Sequence, residues 1–308
     1  MIKVGVLRGG VSPEYDLSLL SGEHILSCLR SDKMNDKYKP IDILITKDGA
    51  WHINGLPLMS LEQIHNKIDI VLNALHGEFG EDGKVQQLLD QWKIPYTGSG
   101  SFASALGYNK QLAKDQFARL GIKTPKHILY PANPPDFDGP RDQYAEEKAH
   151  EILRRLPPPW IVKPLTGGSS MGIHVCKTFA ELARAFEMGV NQNVSVLVEE
   201  MIEGKVATVG VVEDFRKKDL YTFPVIGRFS EDEKSEMEYL AGLVHSGLNL
   251  SHYSESDFIV HPKKGVYIIE VNTLPKLHAG SLLYSHLENV GSSMPEFLSH
   301  IIELARQK

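Results

Sequence analysis

The first hundred residues alternate in a way that admits few folds. Ile2 to Leu7 (IKVGVL) is a continuous apolar run of strand length, and Leu17 to Leu29 has helical spacing. Ile41 to Ile45 and Asp69 to Leu75 are further runs of strand length. Strands that are apolar on both faces are buried on both faces, as in a parallel sheet covered by helices. The expected fold class is therefore α/β, with a parallel-sheet domain at the N-terminal end. In such sheets ligands gather at the carboxyl ends of the strands. Two polar, glycine-containing segments fall there: RGGVSPEYDLSLLSG (Arg8 to Gly22) and LHGEFGEDGKVQQLL (Leu75 to Leu89). A turn with a capped helix start explains either one alone. Both at one edge of one sheet point to a pocket.

A chain of 308 residues has room for two or three domains, each with its own core. With 42% hydrophobic and 23% charged residues it reads as an ordinary globular protein, and a net charge of -6 argues against a nucleic-acid binder. No apolar run approaches the length of a membrane span, and MIKVGVLRGG reads as a buried first strand, so a cytoplasmic location is expected. Cys28 lies in a helical pattern and Cys176 in a strand pattern. Two isolated cysteines form neither a metal motif nor a disulfide framework, so both are expected as buried apolar fillers. Most of the 13 histidines, including His252 and His261, lack metal-ligand spacing and are expected on the surface or in turns.

A different organisation starts near Asn109. Tyr108 to Ile122 (YNKQLAKDQFARLGI) reads as a basic amphipathic helix ending at Gly121, and Pro131 to Gly139 as a proline-rich surface loop. Tyr144 to Leu156 is a charged helix, followed by a strand at Trp160 to Pro164, the loop LTGGSSMGI and a strand at His174 to Lys177. Strand, glycine-serine loop, strand is not the Walker arrangement, in which the loop feeds a helix. Such a loop between antiparallel strands can fold over phosphates as a lid, with Lys163 supplying a cation, or it is simply a flexible turn. The strand Ser195 to Glu199 runs into an acidic connector, Glu200 to Gly204, that either meets an adenine edge or links two domains.

Near the C-terminal end, Tyr253 to Pro275 (YSESDFIVHPKKGVYIIEVNTLP) reads as a β-hairpin. A four-residue loop, Pro262 to Gly265, with Gly in the left-handed position, closes on His261 and Val266. That register sets Asp257 opposite Glu270, and Asn272 shares the face of Glu270, with Tyr267, Ile269 and Val271 on the other side. Carboxylates directly across a ladder repel, and a divalent cation between them removes the objection. An ordinary amphipathic hairpin with its polar face in water is the alternative.

Taken in order, these segments resemble the D-alanine:D-alanine ligases of the ATP-grasp superfamily over almost the whole chain. The stretches that carry the likeness are Leu75 to Lys114, Ile161 to Ile173 (IVKPLTGGSSMGI), Val196 to Gly204 (VLVEEMIEG) and Ile268 to Pro275 (IIEVNTLP). The resemblance implies an ATP-grasp fold in three domains: residues 1–108, a central domain at 109–203 with the glycine lid, and 204–308 with the metal site, ATP lying between the last two. It implies that Lys110 and Lys163 meet the ATP phosphates beneath the lid serines Ser169 and Ser170. Glu199 and the backbone of Ile202 would bind adenine. Asp257, Glu270 and Asn272 would hold two magnesium ions, with manganese as a substitute. Glu14 with Ser169 would fix the ammonium group of the first D-alanine, with Ser18 and His76 beside that substrate, and Ser281 with Leu282 would receive the second carboxylate. The implied activity is ATP-dependent joining of two D-alanines through an acyl phosphate for peptidoglycan precursors. A different acceptor, or an inactive ATP-binding homologue, are the alternatives, and a homodimer is expected by analogy.

The chain departs from the family pattern at four places. Glu255 stands where the family has an arginine that steadies the transferred phosphate. Lys276 replaces a glycine after the motif proline, and Val206 a ribose-binding glutamate. The stretch Phe223 to Leu240 is shortened and keeps only Arg228 and Lys234 as cations.

Overall fold

The computed structural model describes residues 1–58, 60, 62–65, 67–132, 140–168, 172–192 and 194–307. Along the chain run β1 (Ile2–Gly9), α1 (Tyr15–Arg30), β2 (Tyr38–Ile45), β3 (Trp51–Ile53), β4 (Leu56–Pro57), α2 (Glu62–His65), β5 (Ile70–Asn73), α3 (Lys84–Gln91), α4 (Ser101–Tyr108) and α5 (Lys110–Arg119). There follow β6 (His127–Tyr130), α6 (Arg141–Arg155), β7 (Trp160–Pro164), β8 (His174–Cys176), α7 (Phe179–Asn191) and β9 (Val196–Glu200). The last part holds β10 (Lys205–Phe215), β11 (Lys218–Thr222), α8 (Glu231–Gly247), β12 (Tyr253–His261), β13 (Gly265–Asn272), α9 (Leu282–Asn289) and α10 (Met294–Gln307). Two compact units result, one of residues 1–108, 207–257 and 271–308, the other of 109–206 and 258–270.

The first unit contains a five-stranded sheet in the order β4-β3-β2-β1-β5. As expected, β1 is parallel to β2 and to β5, with Val6 level with both Asp42 and Leu72. Apolar side chains cover both faces. Val4, Val6, Ile70 and Leu72 pack with Ile25, Leu26 and Leu29 of α1 and with Phe297 and Ile301 of α10, while Leu7, Ile43 and Val71 pack with Val85 and Leu89 of α3. The expectation of a purely parallel sheet is corrected at one edge, where β3 and β4 are antiparallel. They are joined by Asn54 and Gly55, both at positive φ, as a type I′ turn requires. At the end of β1, Gly9 has φ +88° and a Cβ there would stand 2.1 Å from the carbonyl oxygen of Ile45, so only glycine fits.

The second unit is built on an antiparallel sheet in the order β6-β9-β7-β8. One face, carrying Ile128, Trp160, Val162, Val196 and Val198, is covered by Ala149 and Ile152 of α6 and by Leu182 and Phe186 of α7. Residues of the opposite parity, including Lys163 and Glu199, lie on the other face. The helix expected over Tyr108 to Ile122 is α5, which runs from Lys110 to Arg119, while Tyr108 is the last residue of α4. Asn109 is extended and its side chain accepts from the amides of Gln111 and Leu112, so it caps α5 and ends the continuity with α4. The glycine-serine loop does join antiparallel strands, β7 and β8, but Ser169 and Ser170 lie outside the described residues, as do residues 133–139 of the proline-rich loop.

The third sheet has the order β11-β10-β12-β13, and its strands β10, β12 and β13 each pass from one unit into the other. In the turn between β12 and β13 Gly265 takes the expected left-handed position, at φ +82°, but it already belongs to β13, so the loop is residues 262–264 and not the four expected; His261 Nδ1 accepts from the amides of Lys263 and Lys264 at 3.0 and 3.1 Å. The face of β13 that carries Glu270 also carries Val266 and Ile268, both buried, so it is not a polar face turned to water. After β11 the chain reaches α8 by residues 223–230, where Ser230 and Glu233 form a capping box. His252 is a correction: it is buried, in the left-handed region, and its Nδ1 accepts from the amide of Gly98. Both cysteines are free, Cys28 half-buried and Cys176 buried, and burial pushes the Cys176 thiol up to about 11. Among the described residues no helix is long and apolar enough to cross a membrane.

Candidate active site

In the first unit the segments after β1 and β5 meet at the carboxyl edge of the parallel sheet. Ser12 Oγ donates to the carbonyl of His76 at 2.6 Å and accepts from the amide of Glu14 at 3.1 Å. Glu14 precedes α1, and its carboxylate lies against Gly77, where a Cβ would stand 2.8 Å from Oε2 and 2.9 Å from Ser12 Oγ. The buried imidazole of His76 is held between Ser21 Oγ, 3.0 Å from Nε2, and Glu81 Oε1, 3.4 Å from Nδ1. Burial raises the Glu81 carboxyl, with His76 opposing. Burial also raises the Tyr108 hydroxyl, as do the carboxylates of Glu81, Asp82, Glu78 and Glu14. The expected residues Glu14 and His76 are thus brought together, and Ser12, Ser21, Glu81 and Tyr108 join them. Ser18 has a different place: fully buried, it accepts from the amide of Gly9 and donates to the carbonyl of Ala74, each at 2.8 Å. It ties the two segments together beneath the polar cluster.

Ser281 is the N-cap of α9 and accepts from the amide of Tyr284 at 3.3 Å, while Leu282, the first residue of the helix, is exposed. A helix N-terminus of this kind carries outward-facing amides and a partial positive charge suited to a carboxylate.

In the second unit the register of β7 and β9 places Ile161 opposite Glu199, so Lys163, two residues on, shares the face of Glu199 on the diagonal. Lys163 Nζ lies 2.9 Å from Glu199 Oε2, and Lys114 Nζ of α5 lies 2.9 Å from Oε1. The Lys114 contact is an ion pair without hydrogen-bond direction, since Oε1 has no hydrogen-bond partner and the ammonium donates to Thr124 Oγ1 at 2.6 Å. All three charged groups are buried. Burial alone would raise the Glu199 carboxyl, and the two lysines hold it below its usual value. Burial brings Lys114 down to about 8, against the pull of Glu199. One turn earlier on α5, Lys110 Nζ donates to the carbonyl of Gly167 in the glycine loop at 2.6 Å. Ile202 is buried just after β9.

Lys114 is the functional candidate that the sequence reading passed over. Its signal was present: it falls on the buried stripe of α5 with Ala113 and Phe117, and a lysine there demands a carboxylate.

Of the expected metal ligands, Asp257 lies on β12, with Glu270 and Asn272 on the neighbouring strand β13. Asp257 Oδ1 accepts from Thr208 Oγ1 at 2.5 Å, and Asn272 Oδ1 accepts from the amide of Leu274 at 2.9 Å, which orients each side chain. Among the described residues no three His, Cys, Asp or Glu side chains cluster as a metal site. The expected set holds two carboxylates and one amide, all oxygen donors, which fits magnesium.

At the departures, Glu255 is 8% exposed and its Oε1 has no hydrogen-bond partner. Burial pushes its carboxyl up to about 8, Asp257 adding to the rise and Lys276 opposing it. Lys234 is taken by Glu231 at 2.8 Å, Arg228 is exposed, and Val206 is 70% exposed.

Comparison with known proteins matches two family models, "D-ala D-ala ligase N-terminus" over residues 54–99 and "D-ala D-ala ligase C-terminus" over residues 137–225. A D-alanine–D-alanine ligase of Anaeromyxobacter sp. (strain Fw109-5) is 34% identical over 330 residues, covering 99% of this chain and 97% of the relative. The structure of D-alanyl-alanine synthetase A from Vibrio cholerae O1 biovar eltor superposes with a TM-score of 0.87 at 24% identity, covering 100% of this chain and 99% of that one. The D-alanine–D-alanine ligase of Bacillus anthracis, complexed with ATP, does so with a TM-score of 0.81 at 25% identity, covering 100% and 98%. The fold is that of the ATP-grasp enzymes. The chain belongs to the D-alanine–D-alanine ligase family.

Proposed function

We propose that this chain is an ADP-forming ligase that joins two D-alanines for peptidoglycan precursors in the cytoplasm. The first D-alanine carboxylate attacks the γ-phosphorus of ATP, giving an acyl phosphate and ADP. The amine of the second attacks the acyl carbonyl, loses a proton and expels phosphate. The observation that carries this reading is the lysine arrangement around the glycine loop: Lys110 on its backbone, and Lys163 on the strand that enters it.

The protein's own work is placement and charge compensation. Lys110 and Lys163 would meet the phosphates, Glu199 and the Ile202 backbone the adenine, with Ser169 and Ser170 on the lid. Glu14 would take the first ammonium group, aided by Ser169, and His76 would stand beside that substrate's carboxylate. The N-terminus of α9, at Ser281 and Leu282, would receive the second carboxylate. Magnesium, held by Asp257, Glu270 and Asn272, would neutralise charge on the phosphate oxygens. A homodimer is the proposed assembly.

Purified protein with ATP, magnesium and D-alanine is expected to release phosphate and form the dipeptide, read by mass spectrometry. Absence of phosphate above background, with D-alanine or a panel of amino acids, would sink the proposal. Glu270→Ala is expected to cut turnover on the order of 100-fold and to raise the magnesium needed for half-maximal rate.

A further inference from the structure

We infer that Lys114 is a positioning residue, the fixed counter-charge of Glu199 that frees Lys163 to leave that carboxylate for the phosphates of a bound nucleotide. The inference rests on the nucleotide reading of this site.

Each oxygen of Glu199 has its own lysine at 2.9 Å, one more cation than a single carboxylate needs. The two lysines are held differently. Lys114 is 1% exposed and its ammonium is anchored a second time by Thr124. The segment bearing Thr124 is tied down in turn, since the Lys123 carbonyl accepts from the amide of Ile268 and Lys123 Nζ donates to the Lys264 carbonyl. Lys163 has Glu199 as its ion-pair partner and sits at the end of β7, where the chain enters the glycine loop.

Consider the same site with one lysine. If Lys163 alone neutralised Glu199, its movement towards a phosphate would strand a buried carboxylate, which would then take up a proton. A protonated Glu199 would offer the adenine amino group only a neutral carbonyl oxygen, and the contact would weaken. With Lys114 in place the carboxylate keeps a partner whichever way Lys163 points. The direction of the Glu199 shift, below its ordinary value despite burial, agrees with this surplus of positive charge.

The test compares binding of ADP with magnesium against binding of adenosine, by calorimetry, in the full chain. Adenosine lacks the phosphates that Lys163 would meet, so the ratio of the two affinities reports the phosphate contact. In Lys114→Met, Lys163 stays with Glu199, and the ratio is expected to fall about tenfold while adenosine affinity changes little. Lys163→Met should show the same fall, and the double variant should lower the ratio no further. A lysine that merely stabilises the fold would weaken both ligands together and leave the ratio as in the parent. That result in a folded Lys114→Met protein, or additive effects in the double variant, overturns the inference. If Lys114→Met does not fold, Thr124→Val decides: a smaller fall in the ratio is expected, and an unchanged ratio overturns the inference. A parent protein that binds neither ligand overturns the nucleotide reading itself, a separate result from an unchanged ratio.

Discussion

Glu199 and Glu255 are the same residue type, each buried on a strand, yet they meet opposite electrostatic conditions. Glu199 has an ammonium group at 2.9 Å from each oxygen, and its carboxyl is held below the usual range. Glu255 has the like charge of Asp257 nearby, only the opposing influence of Lys276, and an unpartnered oxygen, and its carboxyl rises to about 8. The lesson is that burial sets the size of the penalty while the number and distance of counter-charges set its outcome. Two lysines favour the ionised form of the first glutamate; burial and the charge of Asp257 favour the protonated form of the second.

The sharpest way to break this comparison is Glu199→Ala. It leaves two buried ammonium groups without their counter-charge and is expected to cost about 3–5 kcal/mol in denaturant unfolding. A loss below about 1 kcal/mol would mean that the lysine pairing adds little.

Glu255→Gln should act in the other direction. The folded-state carboxyl is raised above its unfolded value of 4.5, so between there and about 8 the folded state holds a proton that the unfolded state has lost. Its contribution to stability is fully present below pH 4.5 and disappears as pH rises through 8. The glutamine variant lacks this loss, so its stability relative to the parent should grow with pH and reach roughly 2–4 kcal/mol above pH 8, measured with chelator present. Parallel stability–pH curves for the two proteins would contradict the raised carboxyl.

Lys276→Met should have the smallest effect. It removes the charge that opposes the rise of the Glu255 carboxyl, so that group should titrate still higher, with a stability loss under about 1 kcal/mol above pH 8. A downward move of the Glu255 titration, followed by carboxyl NMR, would show that Lys276 does not face it.

The α/β class, the loops at the carboxyl ends of β1 and β5, the antiparallel strands around the glycine loop and the turn at Gly265 were all legible in the residues. Each rests on a local pattern: apolar runs, helical spacing, a glycine at positive φ. The β3–β4 edge was missed because strands of three and two residues are too short to show a period, although Asn54–Gly55 is a hairpin signal in its own right. The start of α5 was legible near Asn109, whose side chain caps it, while the helix α4 before it was not read from the sequence. His252 was misplaced because nothing local shows that the amide of Gly98, far away in sequence, seeks its ring nitrogen.

Candidate side chains divide along the same line. Glu14, His76, Lys110 and Glu199 were proposed through the family resemblance, and Lys163 also through its place before the glycine loop. Their partners were not. That Lys114 shares Glu199 with Lys163, that Ser18 braces two backbone segments, and that Glu255 is left with one unpartnered oxygen depend on residues brought together across the chain. Secondary structure and residue chemistry follow from neighbours in sequence. The ionisation of a buried carboxylate follows from neighbours in space, because the Coulomb energy between charges depends on their separation and on the water excluded around them.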